Sequence, residues 1–367
     1  MNVLIQLSHP AHFHLYKNAA KNLMDDGHHV FILIKTKDIL EDLLQQSGLP
    51  YNNILKEAHR KSKMGVLCDM LVRDWRIWRF VKKNHIDLLT GSTPEVAQVG
   101  WLTRKYRINT SEDDMRVVPL IQKMTGPFAQ VLLSPVVCDN WKIEDKSVKY
   151  ASYHELAYLH PHHFSADRSV VEKYFPTDTP YFILRFSSLN AHHDKGIKGI
   201  NAEITQRLVE LLKPHGRIYI TSERELEPQF EPYRIKIDTL DMHHAMAFAD
   251  LYIGDSQTMA AEAGVLGVPF VRFNDFVGRI GYLNELENVY QLGFGIKASE
   301  SGSAEKMYKV IEGILALPNR KEEWQSRRQK MLSEKIDYAL FLTWFIENYP
   351  ESETIMKDNP DYQFRFK

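Results

Sequence analysis

The sequence predicts an α/β protein with two Rossmann-like, doubly wound domains, and three observations lead to this fold class. Short apolar runs alternate with helical patterns from residue 2 onwards, which is typical of parallel sheets whose strands are joined by helices. An aromatic, proline-rich stretch at residues 153–180 interrupts the alternation, which restarts at residue 181. Between residues 251 and 270, a strand, a tight turn, a helix and a second strand follow one another.

The predicted elements of the first half have the helix-connected order that parallel strands require. After a turn at residues 9–12, a helix is expected from Phe13 to Asp26, because Gly27 is typical of the residue that follows a helix. The other predicted helices are residues 38–46 and 64–84 and one that opens at Pro94. The predicted strands are residues 2–7, 30–34, 87–90, 107–110 and 131–133.

The second half repeats this order. Its predicted strands are residues 181–186, 217–220 and 251–253 and one that starts at residue 268. Its predicted helices are residues 200–212, 241–248, 304–316, 321–333 and 336–349. We therefore expect an N-terminal domain at residues 1–170, a second domain at residues 171–335, and a C-terminal helix and tail at residues 336–367. Two such domains would face a central cleft with the carboxyl ends of their strands, where ligands bind.

The composition argues against several classes of protein. The 367 residues are enough for two domains, and a net charge of −1 does not favour a nucleic-acid partner. Two cysteines do not support a disulfide framework or a cysteine-based zinc site. No segment has the pattern of a signal peptide or of a membrane span of about twenty apolar residues, so we expect a cytoplasmic protein.

Two questions about partners stay open in the sequence. Nothing in it indicates the oligomeric state. A peripheral membrane contact could form through the basic residues 60–63 and the aromatic helix that carries Trp75 and Trp78. Core packing of both tryptophans is the interpretation we favour.

The segment that begins at Leu251 carries the most chemical information. The turn before residue 257 creates a helix N-terminus, whose backbone N–H groups favour a phosphate. Thr258 and Glu262 lie one helical turn apart, so both can face the same ligand. A phosphate at the turn and a carboxylate one turn deeper suit a nucleoside diphosphate with ribose hydroxyls. The spacing alone slightly favours a closely packed crossover without a ligand.

Two loops of the first domain hold candidate catalytic residues. His12 and His14 follow the first strand, and in an extended turn both could line the cleft as a general base or a phosphate partner. A metal is disfavoured there because no carboxylate lies nearby in sequence. Glu112 and Asp113 follow a later strand, and repulsion between neighbouring carboxylates can raise a pKa towards that of a general base. The alternatives are histidines that hydrogen-bond the turn and a solvated, acidic helix start.

Two loops of the second domain could bind a nucleotide sugar. Arg185 precedes a long polar loop with His192, His193 and Asp194, which could cover a diphosphate and bond a sugar. A phosphate or sugar site is favoured there over a metal site. Ser222 follows the next strand and could bind a base or a phosphate, although a salt bridge in this loop is equally compatible with the sequence.

Six blocks in the chain carry a resemblance to a known family. They are SHPAHFHLYKN, TSEDDM, HELAYLHP, LRFSSLNAHHDKG, GDSQTMAAEAGVLGVPF and GRIGYLNELE, and they span residues 8–287. In this order they resemble the family labelled domain of unknown function 354, from which the chain departs at Ser8, where the family usually has asparagine. That family is similar in fold to GT-B glycosyltransferases and UDP-N-acetylglucosamine 2-epimerases. The resemblance implies a GT-B-like fold whose C-terminal helix returns to the N-terminal domain.

The resemblance also implies roles for the candidate residues. The contacts to the diphosphate and the ribose would come from Ser256, Gln257, Thr258 and Glu262. The epimerases have two glycines at the positions of Gln257 and Thr258. The loop at residues 192–194 would lie over the donor, and His12, His14, Glu112 and Asp113 would act from the N-terminal domain. No metal and no cofactor are implied, and the substrate would be a nucleotide sugar, with a UDP-sugar favoured.

Three functions remain open at this point. The favoured one is a metal-independent glycosyltransferase that acts on a surface glycan or a lipid-linked acceptor. The second is a UDP-sugar 2-epimerase, which needs carboxylates close to the sugar. The third is a non-catalytic protein of a glycan locus that binds a nucleotide sugar.

Overall fold

The computed structural model describes residues 1–35, 39–55, 63–187 and 199–367. The chain divides into two compact units: Met1–His163 with Lys335–Lys367 form unit 1, and Phe164–Glu334 form unit 2. The first boundary therefore lies after His163, whereas the sequence placed it after residue 170. The C-terminal segment belongs to unit 1.

Both units contain a sheet in which all paired strands are parallel. Unit 1 has seven strands in the order β3-β2-β1-β4-β5-β6-β7, and unit 2 has five in the order β12-β11-β10-β8-β9. In unit 1 the strands are β1 (Asn2–Leu7), β2 (His29–Lys35), β3 (Tyr51–Leu55), β4 (Leu88–Gly91), β5 (Tyr106–Thr110), β6 (Val131–Pro135) and β7 (Ser147–Tyr150). In unit 2 they are β8 (Tyr181–Phe186), β9 (Arg217–Ser222), β10 (Leu251–Gly254), β11 (Phe270–Phe273) and β12 (Gly293–Ile296).

Helices connect these strands. In chain order they are α1 (Pro10–Asp25), α2 (Leu40–Ser47), α3 (Lys63–Lys83), α4 (Pro94–Thr103), α5 (Pro119–Thr125), α6 (Leu156–Leu159), α7 (Arg168–Glu172), α8 (Ala202–Leu212), α9 (Met242–Phe248), α10 (Gln257–Val265), α11 (Gly281–Asn288), α12 (Ser303–Leu315), α13 (Arg320–Glu334), α14 (Tyr338–Glu347) and α15 (Glu351–Asp358). Short 3-10 helices lie at Trp141–Lys146, Glu231–Tyr233 and Pro360–Phe366. In the described part of the chain, no helix has the length and apolarity that crossing a bilayer demands.

The strand orders fix where each sheet reverses its direction of winding. In unit 1 the reversal lies between β1 and β4, and in unit 2 it lies between β8 and β10. Doubly wound sheets bind ligands at the carboxyl ends of the strands that flank this reversal. The residues that follow β1, β4, β8 and β10 therefore lie where such sheets bind ligands.

A close backbone contact explains the glycine at the end of β10. A Cβ atom on Gly254 would lie 2.8 Å from the carbonyl oxygen of Arg185 and 2.6 Å from the hydroxyl of Tyr252. Because real side chains do not tolerate such distances, only glycine allows β10 to approach β8 this closely at its carboxyl end.

The C-terminal segment completes the core of unit 1. Helix α14 packs against α1 and α6, and its Tyr338, Phe341, Leu342 and Phe345 are fully buried. A helix that is apolar around most of its circumference must be covered on several sides. Residues 335–367 are therefore part of the unit 1 core.

Several elements differ from those expected. The first helix begins at Pro10 rather than Phe13, because proline suits the first helical position and His9 caps the helix through its side chain. The strands β3, β7 and β12 and the helices α5, α6, α7, α11 and α15 were not predicted. The first two of these strands carry polar residues, which weakens the apolar signal of a parallel strand.

Candidate functional site

The reversal point of the unit 2 sheet presents the N-terminus of a helix. Strand β10 ends at Gly254, and Ser256 caps α10 by accepting a hydrogen bond from the backbone N–H of Met259 at 3.5 Å. Asp255 is buried, and its Oδ1 accepts a hydrogen bond from the backbone N–H of Ser187 at 2.6 Å. This bond ties the carboxyl end of β8 to the start of α10.

The first turn of α10 has the properties of an anion-binding site. Gln257 and Thr258 are half-buried, and the early backbone N–H groups of an α-helix have no partner within the helix. These donors and the positive end of the helix dipole favour a phosphate group. The geometry therefore agrees with the phosphate role predicted for residues 256–258, which stays a prediction.

The side chain of Glu262 on α10 is buried and is not freely accessible to a ligand. Its Oε1 is hydrogen-bonded to Nε2 of His243 on α9 at 3.0 Å, and both side chains are 7% exposed. A ribose would have to share the carboxylate of Glu262 with His243, so the ribose contact of Glu262 stays a prediction.

Arg185 and Ser222 form hydrogen bonds at the carboxyl ends of the neighbouring strands β8 and β9. The guanidinium of Arg185 donates a hydrogen bond to Oγ1 of Thr221 at 2.9 Å and forms an ion pair with Glu223. The hydroxyl of Ser222 donates to the carbonyl of Arg224 at 2.7 Å and accepts from its backbone N–H. The salt bridge that the sequence left as an alternative in this loop is therefore present.

His192, His193 and Asp194 fall within residues 188–198, which lie outside the described residues. Their predicted role over the donor stays a prediction.

The prediction that His12 and His14 line an extended turn is wrong. Both residues belong to α1, where positions two apart point in different directions. Nδ1 of His12 lies 3.4 Å from both the backbone nitrogen and the hydroxyl of Ser8. His14 is buried, and its ring centroid lies 5.1 Å from that of Tyr158. Of the two, His12 is the more accessible.

Glu112 is held in a buried, polar pocket at the carboxyl edge of the unit 1 sheet. Its Oε2 accepts a hydrogen bond from the backbone N–H of His154 at 2.9 Å, and its Oε1 lies 3.6 Å from Nδ1 of the same histidine. Burial raises the pKa of Glu112 well above its usual range, and the charges of Glu155 and Asp113 add to this shift. Asp113 itself is exposed. The pKa of Glu112 is therefore raised, but burial is the main cause and repulsion from the adjacent Asp113, the predicted cause, contributes least.

His154 is a neutral imidazole beside this carboxyl group. Burial lowers the pKa of His154 to about 3. Its Nε2 is buried and has no hydrogen-bond partner among the described residues. The ring stacks on that of Tyr338 with centroids 5.7 Å apart, so α14 forms one wall of the pocket.

A row of hydroxyl groups lies at the ends of two neighbouring strands, β4 and β5. The hydroxyl of Tyr16 is hydrogen-bonded to Thr90 at 2.9 Å and to Thr110 at 3.2 Å, and Thr110 is also bonded to Ser92 at 2.8 Å. Burial raises the pKa of Tyr16 to about 12, so this group is a neutral hydroxyl. Sequence reasoning missed these residues together with His154 and Glu155. The position of Ser92 directly after a strand was the available signal.

The two tryptophans of α3 differ in their surroundings. Trp78 is partly buried and packs against the core cluster of unit 1, as favoured from the sequence. Trp75 is 54% exposed, so core packing was the wrong interpretation for it. Its ring lies 5.8 Å from the guanidinium of Arg79. Residues 60–62 of the predicted basic segment lie outside the described residues.

Comparison with known families assigns the chain to one of them. The family model described as "Protein of unknown function (DUF354)" matches residues 1–276. The chain belongs to this family. No curated protein sequence matches it.

Solved structures show what this family's fold resembles. A putative UDP-N-acetylglucosamine 2-epimerase from Listeria monocytogenes is 12% identical with a TM-score of 0.67, and the match covers 96% of each chain. The Neisseria meningitidis UDP-GlcNAc 2-epimerase bound to UDP-GlcNAc is 13% identical with a TM-score of 0.61, covering 91% of this chain and all of that one. The spinosyn rhamnosyltransferase SpnG complexed with thymidine diphosphate is 12% identical with a TM-score of 0.62, covering 95% of this chain and all of that one. The DUF354 chain therefore has the GT-B-like fold of these glycosyltransferases and epimerases.

We expect the imidazole of His154 to stay neutral down to about pH 4, because its burial opposes protonation. Exposed histidines titrate near pH 6.5. NMR titration of histidine-labelled protein, with the His154 signal assigned from its loss in His154→Gln, measures this directly. A His154 signal that moves together with those of exposed histidines would contradict the burial of this side chain.

Proposed function

We propose that this protein is a sugar-nucleotide-dependent glycosyltransferase that needs no metal for the transfer step. The observation that carries the proposal is the capped N-terminus of α10 at the reversal point of the unit 2 sheet. It occurs in a fold shared with an epimerase bound to UDP-GlcNAc and a rhamnosyltransferase bound to thymidine diphosphate. The nucleotide would be a substrate, and a UDP-sugar is the favoured one.

Unit 2 would bind the diphosphate. The N–H groups at the start of α10 are held in place by the cap of Ser256 and by the bond from Ser187 to Asp255. Such fixed donors stabilise negative charge without rearrangement when the bond between the sugar and the diphosphate breaks. This supports a leaving-group role for the helix and explains why transfer would not require a cation.

Unit 1 would supply the base. A carboxylate with a raised pKa accepts a proton from an acceptor hydroxyl more readily than an ordinary one. Glu112 has this property, whereas His154, with a pKa of about 3, is a poor base. We therefore assign proton transfer to Glu112 and the positioning of its carboxylate to His154. The acceptor oxygen would then form a bond to the anomeric carbon as the diphosphate leaves.

One observation favours a 2-epimerase as the second candidate. The charge of the buried Glu155 adds to the raised pKa of Glu112. Elimination of the nucleotide and its re-addition to the sugar need groups that remove and return protons, and two neighbouring carboxyl groups would provide them.

We further propose that the acceptor is lipid-linked and that α3 contacts the membrane surface. Leu71, Val72 and Trp75 are 61%, 40% and 54% exposed on this helix. Arg79 lies beside Trp75, and Lys82 and Lys83 are exposed at the end of the helix. Exposed aromatic and apolar side chains with neighbouring cations match the chemistry of an anionic lipid surface.

Nucleotide binding is tested by thermal unfolding with UDP, GDP, CDP, dTDP, CMP and their common sugar conjugates. A ligand at one hundred times its Kd stabilises the folded state by about 2.7 kcal/mol. We expect Gln257→Glu to abolish the shift, because a carboxylate in the first turn favours the helix but repels a phosphate. Gln257→Ala is the matched control and should keep the shift. No shift in the folded wild type, or an equal shift in Gln257→Glu, would contradict the proposed site.

The reaction is tested with the nucleotide sugar that binds. We expect Glu112→Gln to lower kcat by about 10²–10⁴-fold, as for other general bases, while the thermal shift caused by nucleotide remains. The matched control is Glu144→Gln, a carboxylate of unit 1 that is 55% exposed and pairs with Lys149.

The products separate the candidate functions. A sugar transferred only when an acceptor is added supports the transferase. Free nucleotide and a C2-epimerised sugar without an acceptor would establish the epimerase instead. Nucleotide binding without any turnover would support a non-catalytic protein that binds a nucleotide sugar. Because the pKa of Glu112 is raised, activity should fall off on acidification at a higher pH than an ordinary carboxylate would allow.

Membrane contact is tested by sedimentation with vesicles of phosphatidylcholine and phosphatidylserine. We expect binding at low salt that Trp75→Ser or Arg79→Glu reduces by at least about tenfold, since both remove part of the attraction to the surface. Phe294→Ser is the control, because Phe294 is 37% exposed on unit 2. Binding that persists unchanged in both α3 variants would show that α3 is not the contact.

A further inference from the structure

Three histidines surround one buried carboxylate in unit 1. His160, His162 and His163 are the last residues of the first unit 1 segment, and Asp337 lies just after the chain returns to this unit. Asp337 is fully buried and caps α14, since its Oδ1 accepts hydrogen bonds from the backbone N–H groups of Ala339 and Leu340. Its Oδ2 faces the histidines.

The ligand atoms of these residues lie close enough together for small side-chain shifts to bring them onto one metal ion. Oδ2 of Asp337 lies 3.0 Å from Nδ1 of His162 and 3.6 Å from Nδ1 of His160. One ligand atom from each of the three residues lies within 4.8 Å of the others. In a tetrahedral zinc site with bonds of about 2.0–2.1 Å, neighbouring ligand atoms are about 3.3 Å apart.

We propose that His160, His162 and Asp337 bind a divalent transition-metal ion, with Zn²⁺ as the ion that best suits two imidazoles and one carboxylate. The side chain of His162 is 50% exposed, which gives the ion an entry path and leaves a fourth position for water. The His160 ring is nearly buried and lies 4.3 Å from that of His162, centroid to centroid.

The surrounding hydrogen bonds suit this role. Nδ1 of His160 accepts a hydrogen bond from the backbone N–H of His162 at 3.3 Å, so this nitrogen is unprotonated, and a metal ion bound there would replace that hydrogen bond. Nε2 of His163 donates to Asp337, with oxygen distances of 2.8 and 2.9 Å. A donor of this kind orients a ligating carboxylate from outside the first coordination sphere. On binding, the ion replaces the proton between His162 and Asp337.

The proposed ion would join two parts of unit 1 that are distant in sequence. It would link the end of the segment Met1–His163 to the segment Lys335–Lys367. This site is separate from the proposed transfer reaction, and it departs from the expectation, drawn from the sequence, that the protein binds no metal. The competing explanation is that the histidines only hydrogen-bond the helix cap.

The test uses the full chain without an affinity tag, stripped of metal by a chelator. We expect Zn²⁺ titration against a chromophoric competitor to give one tight site per chain, and Co²⁺ to give the visible absorption of a four-coordinate ion. His162→Ala should weaken binding at least about tenfold, and His163→Ala about 10–100-fold through the lost orientation of Asp337. His29→Ala, an exposed histidine of unit 1, is the matched control and should bind like the wild type.

Folding of each variant is checked by its thermal unfolding without metal. Since His162 is half exposed, its replacement should leave the fold intact. Wild-type protein without a stoichiometric site, or variants at His160 and His162 that bind as tightly as His29→Ala, would overturn the proposal and leave the cluster as a hydrogen-bonded helix cap. Neither result depends on whether the protein binds a nucleotide.

Discussion

Parallel strand pairing is the constraint on which the rest of this structure depends. Every paired strand in both sheets is parallel, so each must be followed by a crossover and all strand ends of a sheet lie at one edge. This places chemically active loops side by side although they are far apart in sequence. At the unit 2 edge, Gly254 permits the close approach of β10 to β8, and the bond from Ser187 to Asp255 fixes it. The N-terminus of α10 is positioned by this backbone geometry.

Burial determines the chemistry of the unit 1 edge. The carboxyl group of Glu112 and the imidazole of His154 are both taken out of water, which raises the pKa of the first and lowers that of the second. Glu112 therefore binds a proton more strongly than an exposed carboxylate, and His154 binds one more weakly than an exposed imidazole. Tyr338 closes the pocket against His154, so the exclusion of water from this pocket depends on a residue from the C-terminal segment. The site is thus assembled from three parts of the chain that meet only in the folded unit.

The sequence predicted the fold well where the signal is local. The apolar runs of β1 and β8 and the strand-turn-helix-strand order around α10 are clear in the sequence, and the fold class they indicate is confirmed. The strands β3 and β7 were missed because their polar residues obscure the apolar pattern, and the start of α1 was missed because Pro10 was interpreted as part of a turn. The partners of Glu262 and Glu112 could not be predicted, since His243 and His154 reach them only through tertiary packing. Exposure of Trp75 likewise depends on the path of α3 over its neighbours.

The discontinuity of unit 1 has a consequence for the order in which the protein can fold during synthesis. Unit 2 is one continuous segment, so it can reach its native packing as soon as Glu334 has left the ribosome. Unit 1 cannot, because the apolar surface of α1 that α14 covers stays open until the last segment has been made. The first segment of unit 1 therefore stays incompletely folded while the whole of unit 2 is synthesised. The period of greatest exposure to aggregation or to chaperones falls late in translation and ends only when the final helices dock.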